Sequence, residues 1–324
     1  ECIITKEIGS ENMKKEKIIF MGTPPIARTM LERLTEADYD VVLVVTQPDR
    51  KSGRKQLLTM SAVKEYALSK GLALFQPEDI KSDHAKIMET DADLIVTCAY
   101  GQFVPEQVLT HPRFGAVNLH ASLLPKLRGG APVHKAIING DAETGMSMMR
   151  MVRRMDAGAV MAQCHVPISE TDTAGTLFDK LAVAGGDLLI EQLPSLFDGS
   201  AVFVEQDESQ ATFAYTITPQ EERIDLSRPL SQVYDQARGL IPFPIGHVLH
   251  EGKKVKLHQV RKKAADHDLP AGTCAGLIDD GFAIAVEGGY LLVDEIQLEG
   301  KKRTDARSFY NGVGKQWLHT RFDR

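Results

Sequence analysis

Asn118 and His120 stand two residues apart in the segment GAVNLHASLLPKLRGGAP, residues 115–132. The apolar stretch that carries them, Ala116–His120, reads as a strand, and its alternation puts both side chains on one face. In an open α/β sheet the carboxyl ends of strands are where ligands bind. An amide and an imidazole there can donate hydrogen bonds to an oxygen that gains charge, and the imidazole can also move a proton. A purely structural histidine at the strand end is the competing reading. Downstream, Met155-Asp156-Ala157-Gly158 follows the apolar stretch Gly145–Val152. Asp156 on a turn could orient and charge His120, or it could serve only as a turn or cap aspartate. A third element, QPDRKSGRK at 47–55, carries Arg50, Lys51, Arg54 and Lys55 around a Ser-Gly pair. It follows a predicted strand, so it lies on the same sheet edge as His120. A basic loop there suits a polyanionic substrate; read alone, it is equally a solvated surface loop.

The elements that must position these residues alternate between strand and helix. Ile18–Met21 reads as a strand, Gly22-Thr23-Pro24-Pro25 breaks it, and Ile26–Leu34 has helical periodicity. Val41–Val45 is a continuous β-branched run, the mark of a strand buried on both faces. Ser61–Lys70 and Ala85–Met88 read as helices, and Leu72–Phe75 and Leu94–Cys98 as strands. The alternation predicts a doubly wound α/β fold with a mostly parallel sheet.

A helix is expected over Leu177–Leu196, ending at Pro194–Gly199, followed by a polar stretch at Glu205–Gln210. Leu230, Val233, Tyr234, Ala237 and Ile241 then share a helical face. Beyond Pro242–Gly246 the pattern turns to β: Val255 and Leu257 alternate with polar neighbours, and Asp279-Asp280-Gly281 reads as a hairpin turn. The expected organisation is a leader at 1–13, a catalytic domain at 14–200, a linker at 201–218, and a β-barrel or sandwich domain at 219–324 with a leading helix.

The chain has 324 residues, 43% hydrophobic and 25% charged, with a net charge of −6, which excludes a disordered chain. No apolar run of ~18 residues is present to cross a membrane. The four cysteines are far apart and follow no metal-ligand rhythm, so they read as isolated thiols in a reducing compartment. The first residues lack the apolar core of a signal peptide, and Met13 is a plausible start, so the expected location is the cytoplasm. The first strand–turn–helix has Gly22 alone where a dinucleotide fingerprint needs three glycines, which argues against a nicotinamide enzyme. Net charge is +1 over 219–324 and −7 before it, with basic clusters at Lys253–Lys256, Arg261–Lys263 and Lys301–Arg303. Such clusters can contact phosphates or belong to a solvated strand face.

Taken together these segments resemble the methionyl-tRNA formyltransferases over nearly the whole chain. The matching pieces are FMGTP (20–24), TQPDRKSGRK (46–55), AYGQFVP (99–105), NLHASLLPKLRGGAP (118–132), GDAETG (140–145), MDAG (155–158) and LEGKK (298–302). The resemblance implies a Rossmann-like domain linked to a C-terminal OB-like β-barrel. It implies formyl transfer from 10-formyltetrahydrofolate to the methionine amino group of initiator methionyl-tRNA. By the same resemblance Asn118, His120 and Asp156 are the catalytic set. Ser122, Leu123, Leu124 and Pro125 match the folate-contacting segment, with Tyr100, Gly101, Phe103, Val104, Asp141 and Thr144 around the pterin. Arg50, Lys51, Arg54 and Lys55 match the loop that wedges into the tRNA acceptor end, and Lys301 and Lys302 add to the tRNA contacts. No metal is called for, because the formyl group is already activated, and nothing demands more than a monomer.

The chain departs from the family pattern at four places. Leu127 and His134 stand where many members have tryptophan and glutamine, Ala159 replaces an acidic residue, and Ile241-Pro242-Phe243-Pro244 replaces an N-P-W-P segment. The nearest rival readings are a UDP-aminoarabinose formyltransferase, which shares the N-x-H pair and the distant aspartate, and the single-domain purine-pathway transformylase. A 10-formyltetrahydrofolate hydrolase and a non-catalytic RNA-binding module complete the field. The basic loop and the tail favour the tRNA enzyme over the first two, and the trio of Asn118, His120 and Asp156 argues against the last.

Overall fold

The structure is a computed structural model that describes residues 15–52 and 57–323. The expected leader and two residues of the basic loop, Arg54 and Lys55, lie outside the described residues. The chain divides into two compact units, one of residues 1–117 with 193–200, the other of 118–192 with 201–324.

In the first unit the chain runs β1 (Lys17–Gly22), α1 (Pro25–Glu36), β2 (Asp40–Val45), β3 (Arg50–Ser52) and β4 (Leu57–Thr59). It continues through α2 (Ala62–Ser69), β5 (Leu74–Phe75), α3 (Ala85–Glu89), β6 (Leu94–Cys98), α4 (Glu106–Leu109) and the start of β7 (Ala116–His120). The sheet order is β5-β2-β1-β6-β7, and the first three pairings are parallel. Every residue of β6, and all of β1 after its first, is buried, which is why both read as unbroken apolar runs. α1 buries Ile26, Ala27, Met30, Leu31 and Leu34, each large side chain contributing about 1.5–3 kcal/mol of transfer free energy. Gly22 is a packing requirement rather than a phosphate cradle: a Cβ there would lie 2.6 Å from Ala27 Cβ and 2.9 Å from the Cys98 carbonyl oxygen. Phe197, near the end of the following long helix, meets Phe114 edge-on at 5.3 Å.

β7 crosses from the first unit into the second at Asn118. There the order is β7-β8-β9, with α5 (Pro132–Ile138), β8 (Glu143–Arg150) and β9 (Val160–Pro167). β8 and β9 form an antiparallel hairpin. α6 (Ala174–Asp198) follows, with Pro194 inside it, and then a stretch to 229 of turns, isolated bridges and one short 3-10 helix at Glu208–Gln210.

The rest of the second unit is α7 (Leu230–Gly239), β10 (His247–His250), β11 (Lys253–Ala264), β12 (Cys274–Ile278), β13 (Gly281–Val286), β14 (Gly289–Leu298), β15 (Thr304–Asp305) and α8 (Ala306–Gly312). The strands are antiparallel in the order β10-β11-β14-β13-β12, with β15 on the flank of β14. Among the described residues this pairing path is open, with β10 and β12 at its two ends. Asp279 and Asp280 take positive φ of 47° and 63° and close the β12–β13 hairpin, as the Asp-Asp-Gly signal predicts. Leu230, Val233, Tyr234 and Ala237 of α7 are buried in one core with Leu257, Phe282, Ile284 and Leu291. Arg238, buried at the end of α7, donates to the carbonyls of Ser169 (3.0 Å) and Asp172 (2.6 Å), tying the β-rich part to the turn before α6.

Candidate active site

The alternation of β7 puts Asn118 and His120 on one face, Asn118 half-buried and His120 buried. His120 Nε2 lies 3.0 Å from the Leu127 carbonyl oxygen; a carbonyl only accepts, so that nitrogen carries the hydrogen. Its Nδ1 faces Asp156 Oδ2 at 3.7 Å, ion-pair distance rather than a formed hydrogen bond. The same Oδ2 accepts the Gly129 backbone N–H at 2.8 Å. Two residues 36 apart in sequence thus meet because the 127–131 loop folds back over the end of β7. Asp156 itself sits at φ +49°, in the left-handed region that aspartate enters more readily than most residues.

In the sequence Arg128 is one residue of the segment 115–132 with no role of its own, and Glu205–Gln210 is a polar stretch inside the expected linker. The structure joins them. Arg128 is 1% exposed, and its guanidinium donates to Gln206 Oε1 (2.7 and 3.1 Å) and to both carboxylate oxygens of Glu208 (2.9 and 3.1 Å). The backbone of the loop pairs with the same stretch: Arg128 N–H donates to the Thr212 carbonyl at 2.9 Å, and Ala214 N–H to the Arg128 carbonyl at 2.7 Å. Leu127 N–H donates to Thr212 Oγ1 at 2.9 Å. No signal in a polar stretch such as QDESQ distinguishes a clamp from a tether, because Gln and Glu are the residues a solvated linker also uses.

The expected folate-contacting segment is fixed by two residues not anticipated from sequence, Ser147 on β8 and Gln163 on β9. Ser147 Oγ donates to the Ser122 carbonyl at 2.6 Å and accepts from Leu124 N–H at 3.1 Å. Gln163 Nε2 donates to that Oγ at 2.7 Å and to the Leu124 carbonyl at 3.0 Å. Ser122 Oγ turns back to the Lys126 carbonyl at 2.6 Å, and the Leu124–Pro125 peptide is cis. Leu123 Cδ2 lies against Gly145, beside Thr144. Thr144 Oγ1 is buried with no hydrogen-bond partner among the described residues, a free polar atom where the resemblance places the pterin. Asp141 follows α5 on an exposed turn; partial burial raises its carboxyl from the ordinary value and Lys126 opposes the rise.

The other expected residues lie in the first unit or on the far sheet. Tyr100 and Val104 are buried and Phe103 is exposed, while Gly101 takes φ +93°. The Tyr100 carbonyl accepts from Thr23 Oγ1 (2.9 Å) and Gln47 Nε2 (3.2 Å), so this bend is locked to the end of β2. The Tyr100 hydroxyl has no partner among the described residues, and burial pushes it up to about 12. Arg50 and Lys51 lie on β3 of the β3–β4 hairpin, a structure the sequence reading left as a loop. Arg50 pairs with Glu78 at 3.5 Å and borders a cleft of about 360 Å³ also lined by Gln47, Asp79, Lys81, Gln102 and Phe103, so its field is partly balanced locally. Lys301 and Lys302 are exposed in the turn after β14. Within the nearby basic clusters, Arg261 pairs with Asp294, Lys263 with Asp279 and Arg303 with Glu295.

Two of the departures from the family pattern touch one another. The His134 ring meets Phe243 edge-on at 5.2 Å, and its Nε2 donates to the Phe243 carbonyl at 3.2 Å. Burial lowers the His134 pKa from 6.5; the Phe243 carbonyl opposes this and Lys135 adds to it. The unfolded chain therefore binds a proton that the folded one resists, so this group's contribution to stability is whole above 6.5 and declines as pH falls below it. Tm should drop between pH 7.5 and 5.5, and His134→Gln, which keeps a donor for Phe243 but cannot charge, should flatten part of that slope. Parallel Tm curves for the two proteins would remove His134 from the account.

Among the described residues no helix is long and apolar enough to cross a membrane. The family model described as "Formyl transferase" matches residues 16–193, and "Formyl transferase, C-terminal domain" matches 216–314. The chain is 46% identical over 302 residues to a methionyl-tRNA formyltransferase of Streptococcus thermophilus, covering 92% of this chain and 96% of that one. It is 43% identical over 308 residues to that of Pediococcus pentosaceus, covering 94% and 96%. Among solved structures, HypX from Aquifex aeolicus in complex with tetrahydrofolic acid superposes with a TM-score of 0.68 at 15% identity, covering 94% of this chain and 48% of that longer one. WlaRD, a sugar 3N-formyl transferase, superposes with a TM-score of 0.65 at 17% identity, covering 89% and 100%. These two share the fold. The relatives matched nearly end to end, and the two family models, carry the assignment: the chain belongs to the methionyl-tRNA formyltransferase family.

Proposed function

We propose that the protein transfers the formyl group of 10-formyltetrahydrofolate to the α-amino group of methionine on initiator methionyl-tRNA. The observation that carries the chemistry is the meeting of His120 and Asp156 at the end of the strand that also carries Asn118. The amine attacks the formyl carbon to give a tetrahedral oxyanion. Asn118 donates to that oxygen, and His120 donates through Nε2, exchanging the Leu127 carbonyl for the reacting oxygen. Asp156 stabilises the charged ring and, through a water, takes the proton the amine loses. Cleavage of the bond to N10 then returns a proton to the folate nitrogen; the formyl group is already activated, so the reaction needs no metal.

The residues suit the folate. Ser122–Pro125 form a backbone segment pinned from behind by Ser147 and Gln163, and Thr144 Oγ1 is a buried polar atom in want of a partner. Asp141, and Tyr100, Gly101, Phe103 and Val104 of the first unit, are assigned to it by resemblance. We read residues 14–200 as the catalytic domain, 201–218 as the linker, and 219–324 as an OB-like domain that, with Lys301 and Lys302, contacts tRNA. Five antiparallel strands on an open path suit a partly open barrel. A cytoplasmic monomer is in keeping with this substrate.

The test is formyl transfer to initiator methionyl-tRNA, with elongator methionyl-tRNA, uncharged tRNA and UDP-aminoarabinose in parallel. Transfer to the initiator alone is expected; transfer to the sugar, or formyl release without an acceptor, would overturn the reading. In the same assay, replacing Arg50 and Arg54 by alanine should raise KM for tRNA and leave folate binding unchanged. The wild-type rate should fall steeply with salt, since phosphate contacts release counterions. Equal loss of folate and tRNA use would count against a dedicated acceptor-end loop.

A further inference from the structure

The polar linker stretch supplies one side chain whose hydrogen-bonding capacity is entirely spent on the site. Gln206 Nε2 donates to the Asp156 carbonyl at 2.8 Å and to the Gly158 carbonyl at 2.7 Å. Its Oε1 accepts twice from the Arg128 guanidinium, at 2.7 and 3.1 Å. Both amide hydrogens and both lone pairs are used, so no other side chain of this length can replace it. Asp156 is thereby held from two directions, its backbone by Gln206 and its carboxylate by Gly129 N–H, on either side of Arg128.

We propose that Gln206 is a positioning residue for the reaction: it fixes the Asp156–Gly158 turn so that the Asp156 carboxylate faces His120, and it makes seating of the linker a condition of catalysis. The proposal rests on the formyl-transfer reading for its kinetic readout but not for its structural one. Ser147 and Gln163 steady the other arm of the loop from the β8–β9 hairpin, and Arg154, just before the turn, pairs with Glu208; Gln206 links the turn to the linker through a side chain satisfied on all four sides.

Gln206→Glu separates the two halves of this role. The carboxylate still accepts from Arg128 but has no hydrogen for the Asp156 and Gly158 carbonyls. A displacement of Asp156 of the order of 1 Å should lower kcat by about 10- to 100-fold with KM for both substrates changed less than about twofold. Because the residue acts through Asp156, Q206E combined with D156N should be no slower than D156N alone, where independent effects would multiply. Amide exchange at Gly129, whose N–H is held by Asp156, should accelerate by about tenfold in Q206E with no substrate present. Wild-type kcat in Q206E, a multiplicative double variant, or unchanged Gly129 exchange would each overturn the proposal. If wild-type protein formylates no methionyl-tRNA, the functional reading fails while Gly129 exchange still decides the position of Asp156. Thermal unfolding is read first; where Q206E yields no folded protein, Gln206→Met replaces it, and the same outcomes apply.

Discussion

His120→Ala should lower single-turnover formyl transfer by ~10²–10³-fold, the usual cost of one donor to a developing oxyanion. Asn118→Ala should lose a comparable factor, and the double variant much less than the product, because the two donors address one oxygen. The loss is expected in the chemical step and not in folate affinity, since the segment expected to hold folate is fixed by Ser147 and Gln163 rather than by His120. The environment of His120 explains why the effect is large. A buried imidazole with a carboxylate on one nitrogen and a carbonyl on the other is already held in place, so little beyond exchange of the Leu127 carbonyl for the reacting oxygen is left for the moment of reaction. Near-wild-type turnover in either single variant would remove that residue from the chemistry.

Gly158→Ala should lower Tm by roughly 5–10 °C and abolish most turnover. Its Cβ would stand 1.9 Å from the Arg150 carbonyl oxygen, far inside contact distance, so two backbone segments must separate. Overpacking of this kind costs about 1–3 kcal/mol and sometimes more, and each kcal/mol moves Tm by about 2–4 °C in a domain of this size. The displaced turn is the one that carries Asp156, so catalysis and stability fail together. Gly312→Ala is the control: a Cβ there meets nothing within 4 Å, and Tm should hold or rise slightly. Equal Tm for Gly158→Ala and wild type would mean the turn has slack that its geometry denies.

The parallel sheet was legible because burial on both faces leaves a plain mark. Leu94–Cys98 and Ala116–His120 coincide with β6 and β7 to the residue. α7 was legible from its apolar face and the β12–β13 hairpin from its Asp-Asp-Gly turn. The β3–β4 hairpin was not, since three-residue strands of Arg, Lys and Ser carry no apolar alternation. The β8–β9 hairpin hid because β9 is only partly buried and its side chains form no clean pattern. Asn118, His120 and Asp156 came from residue type and from resemblance. Their supports did not: Gln206, Ser147 and Gln163 matter for where their amides and hydroxyls point, which only the folded backbone decides. Arg128 is the sharpest case, a charged residue in a Gly-rich loop that reads as solvated and is almost wholly buried.

The clamp on Arg128 also sets when, during synthesis, the site can close. Its partners follow it by 78 and 80 residues, and the Thr212 hydroxyl that holds Leu127 follows by 85. At about 5–20 residues per second, a ribosome adds the last of these roughly 4–17 s after the loop itself. Until then a cation destined for burial has no counter-charge, and the loop over His120 remains unsealed. The site can thus close only once residue 212 of 324 has been added, whatever the speed with which the parallel strands of the first unit assemble, and while the β-rich part beyond residue 229 is still to be made.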